Sequence, residues 1–74
     1  MNVKVYSTPS CIYCNMAKKY LEKNHVPYES IDVSENMEAA AELVEKSGQR
    51  GVPVIDFDGT IIVGFDKNRI DSLL

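Results

Sequence analysis

The sequence predicts an α/β domain with a mixed four-stranded sheet flanked by three helices, in the order β-α-β-α-β-β-α. Short apolar stretches typical of strands alternate with segments of helical periodicity. The dipeptide Asp58-Gly59 stands between two apolar runs, a pattern typical of a tight hairpin. A length of 74 residues is enough for one small domain. We therefore predict a single domain over residues 1–74.

The first unit is predicted to be a strand, a loop and a helix. Apolar and more polar residues alternate over residues 3–6, which predicts a short strand. Residues 8–10 (Thr-Pro-Ser) interrupt this pattern and predict a loop. Helical periodicity begins at Cys11 and is ended by Val26-Pro27. The face expected to point inward consists of Ala17, Tyr20, Leu21 and Asn24.

The second unit is predicted to be a strand over residues 28–33 followed by a helix. Ser34 is a suitable N-cap for this helix, and Glu35 suits the positive end of its dipole. Gly48 is expected to end it. The apolar stripe expected to face the sheet consists of Met37, Ala40, Ala41 and Val44.

The remaining elements are a hairpin and a last helix. The hairpin strands are Val54–Phe57 and Thr60–Val63, and Asp66 is expected to cap the helix. Phe65 and Ile70 have the spacing of a hydrophobic staple. The inner face of this helix is expected to be Ile70, Leu73 and Leu74. The first two strands, joined through a helix, should be parallel with a right-handed connection.

The composition argues against several partners. The net charge of −3 argues against nucleic acid. No apolar run approaches the ~20 residues that cross a bilayer, and no signal peptide opens the chain. We therefore expect a cytoplasmic monomer without a membrane partner. The charge is uneven, because residues 1–25 hold four lysines against Glu22 alone, a net charge of +3.

The two cysteines, Cys11 and Cys14, suit neither a structural bridge nor a metal. A secreted scaffold of this size usually has several disulfides, and a bridge across so short a loop stabilises little. Zinc normally takes four ligands, and adding His25 would supply only three. His25 is expected at the end of the first helix instead. We therefore predict no metal site.

The position of Cys11 predicts redox chemistry. Residues i and i+3 at a helix start share a face, so the sulfurs of Cys11 and Cys14 can bond. The free N–H groups and dipole at a helix N-terminus stabilise an anion. They are expected to lower the pKa of the Cys11 thiol from about 8.5, which makes it the attacking nucleophile. Cys14, inside the first turn, would resolve the mixed disulfide.

Three sequence segments resemble the glutaredoxin family, whose fold is thioredoxin-like. They are the stretch from Tyr6 through Cys11-Ile12-Tyr13-Cys14, the segment Gly51-Val52-Pro53-Val54, and the segment Val63-Gly64-Phe65-Asp66. The resemblance covers essentially the whole chain. It implies a thiol–disulfide oxidoreductase in which a cis peptide bond precedes Pro53, which faces the cysteines. The backbone of Val52 would pair with a peptide-like substrate.

The resemblance also implies glutathione as a co-substrate, with no tightly bound cofactor. The γ-glutamyl end of glutathione would meet Gly64, Phe65 and Asp66. Its glycine carboxylate would lie near Gln49 or Arg50, and Tyr13 would flank the cysteine sulfur. Disulfide-containing proteins would be the other partners.

The sequence departs from the family at four places. Ile12 stands where many glutaredoxins have proline, and Thr8 stands where a lysine is frequent. Val63-Gly64 replaces a Gly-Gly pair, and Gly51-Val52-Pro53 replaces a Thr-Val-Pro segment. These changes also resemble small glutaredoxin-like electron donors reduced by thioredoxin reductase, with ribonucleotide reductase as a possible acceptor. Two further alternatives stay open. One is a dimer that shares an iron–sulfur cluster through Cys11 and glutathione, and the other is a binding domain without catalysis.

Overall fold

The computed structural model describes residues 2–74 and has the predicted order of elements. The elements are β1 (Val3–Ser7), α1 (Ile12–Lys23), β2 (Glu29–Asp32), α2 (Met37–Ser47), β3 (Val54–Phe57), β4 (Thr60–Val63) and α3 (Lys67–Leu73). The strand order in the sheet is β2-β1-β3-β4. β1 and β2 are parallel, whereas β1–β3 and β3–β4 are antiparallel. The predicted fold class is confirmed.

Strand β1 is central and is covered on both faces. Val3 and Val5 pack on one side in a core that includes Leu21 of α1 and Ile70 of α3. Tyr6 packs on the other side with Leu43 of α2. Tyr6 lies on the face of the sheet opposite to that of Val3 and Val5. Because α2 covers that face, the side chain of Tyr6 is also fully buried. A strand held from both faces gives a rigid base to the loop that follows it.

Helix α1 ends in a Schellman motif. The backbone N–H of His25 donates to the Glu22 carbonyl at 3.0 Å, and that of Val26 donates to the Leu21 carbonyl at 2.9 Å. His25 takes the left-handed conformation, with a φ of 59°. The prediction that Asn24 lies on the buried face is wrong. Asn24 is the exposed C-cap, because the helix has already ended at Lys23.

Strand β2 is shorter than predicted, and helix α2 begins later. Only Glu29–Asp32 pair with residues 4–7 of β1, so residues 28 and 33 lie outside β2. The predicted cap Ser34 is wrong, because its N–H and hydroxyl both donate to Asp32 Oδ1, at 2.9 and 2.5 Å. Asn36 caps the helix instead, where its Oδ1 accepts from the N–H of Ala39 at 3.0 Å.

The face that α2 turns to the sheet also differs from the prediction. The buried residues are Ala39 and Leu43, whereas the side chain of Met37 is 90% exposed. The predicted stripe of Met37, Ala40, Ala41 and Val44 is therefore wrong. It left out Leu43, which removes more apolar area from water than an alanine when it is buried.

The hairpin and α3 follow the predicted pattern closely. Asp58 and Gly59 both have positive φ, as a type I′ turn requires. Asp66 caps α3, where its Oδ1 accepts from the N–H of Arg69 at 3.1 Å. The prediction that Leu74 faces inward is wrong, because Leu74 lies beyond the last helical residue and is exposed.

A polar cluster of four side chains, Tyr6, Glu42, Lys46 and Asp56, attaches α2 to the sheet. Lys46 Nζ donates to Asp56 Oδ2 at 2.7 Å and to the Tyr6 hydroxyl at 3.0 Å. It also pairs with Glu42 Oε1 at 3.0 Å, and the Tyr6 hydroxyl donates to Glu42. Burial would raise the pKa of Asp56, but its hydrogen bonds from Lys46 and the Gly59 N–H outweigh this, and the pKa is lowered. The hydrogen bond from Tyr6, followed by that from Lys46, lowers the pKa of Glu42.

We predict that Lys46→Met weakens this attachment. The Asp56 side chain is only 14% exposed and would lose its cation. The expected loss at neutral pH is about 1–2 kcal/mol of unfolding free energy, the range for a partly screened charged hydrogen bond. Denaturant unfolding measures it, with the exposed Lys19→Met as control.

The pH dependence has a definite sign. Because the folded-state pKa values of Asp56 and Glu42 are lowered, their stabilisation is present above the unfolded values near about 4 and is lost as pH falls through the folded values. The difference between the wild-type protein and Lys46→Met should therefore shrink in acid. A difference that stays constant with pH would contradict this account.

Candidate active site

The two cysteines form a disulfide at the N-terminus of α1. Cys11 is the N-cap, and Cys14 lies in the first turn. The N–H of Cys14 points to Cys11 Sγ at 3.1 Å, so the sulfur takes the place that a hydroxyl or carboxylate oxygen takes in an ordinary cap. Cys14 is fully buried, whereas Cys11 is partly exposed. Of the two cysteines, Cys11 is therefore the one that solvent reaches.

The turn after β1 places Cys11 near the C-terminal end of this central strand. Ser7 ends β1 and is buried, and its carbonyl accepts from the N–H of Val33 at 3.0 Å. The N–H of Cys11 donates to the Thr8 carbonyl at 3.3 Å, and the Cys11 carbonyl accepts the first helical bond from Asn15 at 3.2 Å. Only residues 8–10 join β1 to Cys11, and these backbone hydrogen bonds hold Cys11 in place at the start of the helix.

The segment around Pro53 lies beside the first cysteine. Cys11 Sγ is 3.9 Å from the Val52 carbonyl oxygen, across 41 residues of sequence. The Val52-Pro53 peptide bond is cis, as the resemblance implies, and Pro53 is buried. The Pro53 carbonyl accepts from the N–H of Gly64 at 2.8 Å. The structure therefore brings the three sequence segments of the resemblance together at one end of the sheet.

The side chain of Gln49 holds the loop that leads to Val52. Its Oε1 accepts from the N–H of Gly51 at 2.5 Å, and its Nε2 donates to the Gly51 carbonyl at 3.1 Å. Nε2 also lies 3.2 Å from the hydroxyl of Ser47. Gln49, predicted as a glutathione contact, thus uses both its amide oxygen and its amide nitrogen in hydrogen bonds within its own chain.

Gly51 supports the conformation of this loop, whereas the sequence indicates it only as part of the resemblance and as a departure from the family. A Cβ at position 51 would lie 2.6 Å from Gln49 Oε1, closer than a Cβ atom approaches another heavy atom. The two-point clamp of Gln49 on Gly51 therefore depends on the absence of a side chain there. The available clue was a glycine before Val52-Pro53 where the family commonly has threonine.

The other predicted contacts lie in two places. Gly64, with a φ of 81°, directly precedes Phe65, and Asp66 Oδ1 accepts the capping hydrogen bond of α3. Tyr13 is exposed on the first turn of α1. Arg50 is exposed and borders a cavity of about 290 Å³ that is lined by Val33 and α2. The structure thus groups Arg50 with α2 and the other four residues with the cysteine end of the sheet.

Within residues 2–74, no group of three or more His, Cys, Asp or Glu side chains is placed to hold a metal ion. Over the same residues, no helix has the length and apolar character to cross a membrane.

Comparison with known proteins identifies the family. The family model described as glutaredoxin matches residues 3–62. The chain belongs to the glutaredoxin family. It is therefore a thiol–disulfide oxidoreductase with a Cys-x-x-Cys pair, as the sequence predicted.

Similar proteins agree in size and fold. The chain is 43% identical over 72 residues to an uncharacterized glutaredoxin-like 8.6 kDa protein in a rubredoxin operon of Clostridium pasteurianum, covering 97% of this chain and 96% of that protein. It is 32% identical over 71 residues to the glutaredoxin-like protein NrdH of Lactococcus lactis, covering 96% and 97%. The structure of the glutaredoxin-like protein NrdH-redoxin from Escherichia coli superposes with a TM-score of 0.88 at 28% identity, covering 100% and 96%.

We predict that Gly51→Ala and Gln49→Ala are coupled. Each should open the same clamp, so each should lower kcat/KM for a disulfide peptide about five- to tenfold, the equivalent of about 1 kcal/mol of lost hydrogen bonding. Because either change alone opens the clamp, the double variant should be little worse than either single variant. Simply additive effects would contradict a shared clamp, and Glu45→Ala on the exposed face of α2 serves as a control outside it.

Proposed function

We propose that this chain reduces disulfides of proteins and glutathione mixed disulfides, with Cys11 as the attacking cysteine and Cys14 as the resolving one. The observation that carries the proposal is the capping contact, in which the N–H of Cys14 lies 3.1 Å from Cys11 Sγ. In the reduced protein the same N–H would stabilise the negative charge of a Cys11 thiolate. The buried position of Cys14 suits the second step, which is intramolecular.

The proposed reaction transfers two electrons in two exchanges. The Cys11 thiolate attacks one sulfur of the substrate disulfide, and the other sulfur leaves as a thiolate and takes up a proton. The Cys14 thiol then loses its proton and attacks Cys11 Sγ, which releases the first substrate sulfur as a second thiol. The substrate disulfide becomes two thiols, and the protein is left with the Cys11–Cys14 disulfide.

The Val52 backbone supports the choice of a peptide-like substrate. Its carbonyl lies 3.9 Å from Cys11 Sγ and the residue is partly exposed. A polypeptide in extended conformation can form main-chain hydrogen bonds with such a segment, in the manner of an added strand. Both a protein segment and glutathione have the peptide groups for this pairing. The clamp on Gly51 would hold that backbone in place.

The source of electrons for the next cycle is proposed to be a thioredoxin reductase, with glutathione as the alternative. Thr8 replaces a frequent lysine, and the polar groups of Gln49 and Asp66 are engaged within the chain. These features leave fewer free groups for the carboxylates and ammonium of glutathione. The similarity to a relative named NrdH and to NrdH-redoxin from Escherichia coli, a glutaredoxin-like protein with a thioredoxin-like activity profile, supports the same choice. Ribonucleotide reductase is the proposed final acceptor among disulfide-containing proteins.

The proposed cycle also bears on location and assembly. The cysteines must be returned to their reduced form between turnovers, which reducing compartments favour. We therefore place the chain in the cytoplasm. One chain supplies both cysteines and the Val52 backbone, so we propose that it acts as a monomer.

The roles of the two cysteines are testable by substitution. Cys11→Ser should abolish disulfide reduction, because no thiolate remains at the exposed position. Cys14→Ser should still attack but should accumulate a mixed disulfide with the substrate, which mass spectrometry of the intact protein detects. His25→Ser, at the far end of α1, is the control. Full turnover by Cys11→Ser would refute the assignment.

The electron donor is testable by comparing two coupled systems. We expect turnover with thioredoxin reductase and NADPH to exceed turnover with glutathione and its reductase by about tenfold, a difference in barrier of about 1.4 kcal/mol. Thr8→Lys, which restores a charge partner for a carboxylate, should narrow that gap. Faster turnover with glutathione would overturn the choice of donor and leave the cysteine mechanism standing.

A further inference from the structure

A groove beside the active site combines an apolar floor with a basic rim. Tyr13, Met16 and Tyr20 are spaced three and four residues apart, so they share one flank of α1. The groove, here called the α1–α3 groove, has a volume of about 260 Å³ and is lined by Met16, Lys19, Tyr20, Lys23 and Phe65. The ring of Phe65, before α3, meets that of Tyr20 edge to face at 5.9 Å between centroids.

The apolar surface runs from the cysteines into the groove. The side chain of Tyr13 is 63% exposed and that of Met16 is 43% exposed, while the neighbouring face of α1 is buried in the core. Ile12, four residues before Met16, is also exposed. Contiguous exposed apolar residues beside a reactive centre are typical of an interaction surface, and a methionine adapts its shape to different side chains.

The charge of the rim is opposite to that of the whole protein. Lys19 and Lys23 lie one turn apart on the exposed side of α1, and Lys67 Nζ lies 5.6 Å from the centre of the Tyr20 ring. Asp71 stands on the α3 side and accepts from the Tyr20 hydroxyl. Three lysines against one carboxylate give this surface a positive potential, although the chain carries a net charge of −3.

We propose that the α1–α3 groove docks an acidic segment of the disulfide-bearing partner protein, with one apolar side chain in the groove and carboxylates at the lysines. This inference rests on the proposed function, because it assigns the groove to the protein substrate of Cys11. Charge complementarity of this kind raises the association rate and selects partners.

The geometry of α1 sets the spacing of the recognised segment. At 1.5 Å per residue, Met16 lies about 7.5 Å, Lys19 about 12 Å and Lys23 about 18 Å along the axis from Cys11. An extended chain spans about 3.3–3.6 Å per residue. The apolar residue should therefore lie about two residues from the reactive cysteine of the partner, and the acidic residues about four to five residues from it.

The test uses synthetic peptides in which one cysteine is joined by a disulfide to thionitrobenzoate. One peptide has leucine two residues from the cysteine and aspartates at the fourth and fifth positions, and its counterpart has lysines in place of the aspartates. The reduced protein converts each peptide disulfide into a peptide thiol and thionitrobenzoate while it forms its own Cys11–Cys14 disulfide. The protein reacts once, so the release of the coloured thiolate gives the second-order rate constant of the exchange.

We expect the aspartate peptide to react about tenfold faster than the lysine peptide at low salt, with the ratio falling towards one as salt screens the charges. A third peptide with serine in place of leucine should lose part of the advantage. The variant Lys19→Glu with Lys23→Glu should reverse the preference. The matched variant Lys19→Arg with Lys23→Arg should keep it, and both variants should retain the wild-type rate with a small uncharged disulfide.

The outcomes separate this inference from the proposed function. Equal rates for the aspartate and lysine peptides, with normal reduction of the small disulfide, would overturn the docking proposal and leave the exchange chemistry intact. Failure to reduce any of the disulfides would overturn the proposed function itself. A preference that survives the double glutamate variant would also overturn the assignment to this groove.

Discussion

The first turn of α1 leaves backbone N–H groups without partners in the helix, and a sulfur atom, Cys11 Sγ, is the partner of one of them. Cys11 is the N-cap, and the N–H of Cys14 lies 3.1 Å from its Sγ. One contact therefore caps the helix, and the two cysteines lie within bonding distance. In the proposed mechanism the same N–H would stabilise negative charge on Cys11 Sγ.

Around this contact, the chain is rigid where the reaction needs fixed atoms. β1 is buried on both faces and carries the loop that leads to Cys11. On the other side, Gln49 grips both backbone groups of Gly51, which directs the Val52 carbonyl to 3.9 Å from Cys11 Sγ. The sulfur and the backbone for which we propose reaction and substrate pairing are thus positioned by hydrogen bonds internal to the chain, so the proposed reaction would need little reorganisation.

The charges divide between the two sides of the sheet. On the α2 side, Lys46 is surrounded by Tyr6, Glu42 and Asp56, and its charge is used to hold the helix in place. On the α1 side, Lys19 and Lys23 are exposed beside an apolar groove and are available to a partner. The same residue type therefore contributes to stability where it is enclosed by acids, and recognition is the role we propose for it where it is exposed.

Short-range patterns in the sequence determined the order of the elements, the Asp58-Gly59 turn, the cap at Asp66 and the position of Cys11 and Cys14 at a strand–helix junction. These features depend on the backbone needs of a few neighbouring residues, so they can be predicted from those residues alone. Tertiary structure decided which of two polar residues caps α2, which face of α2 is buried, and that Tyr6 is enclosed. It alone decided that Gln49 meets Gly51 and that Cys11 meets Val52. Each of these outcomes depends on competing contacts or on segments far apart in the chain, and packing selects among alternatives that local propensity leaves nearly equal.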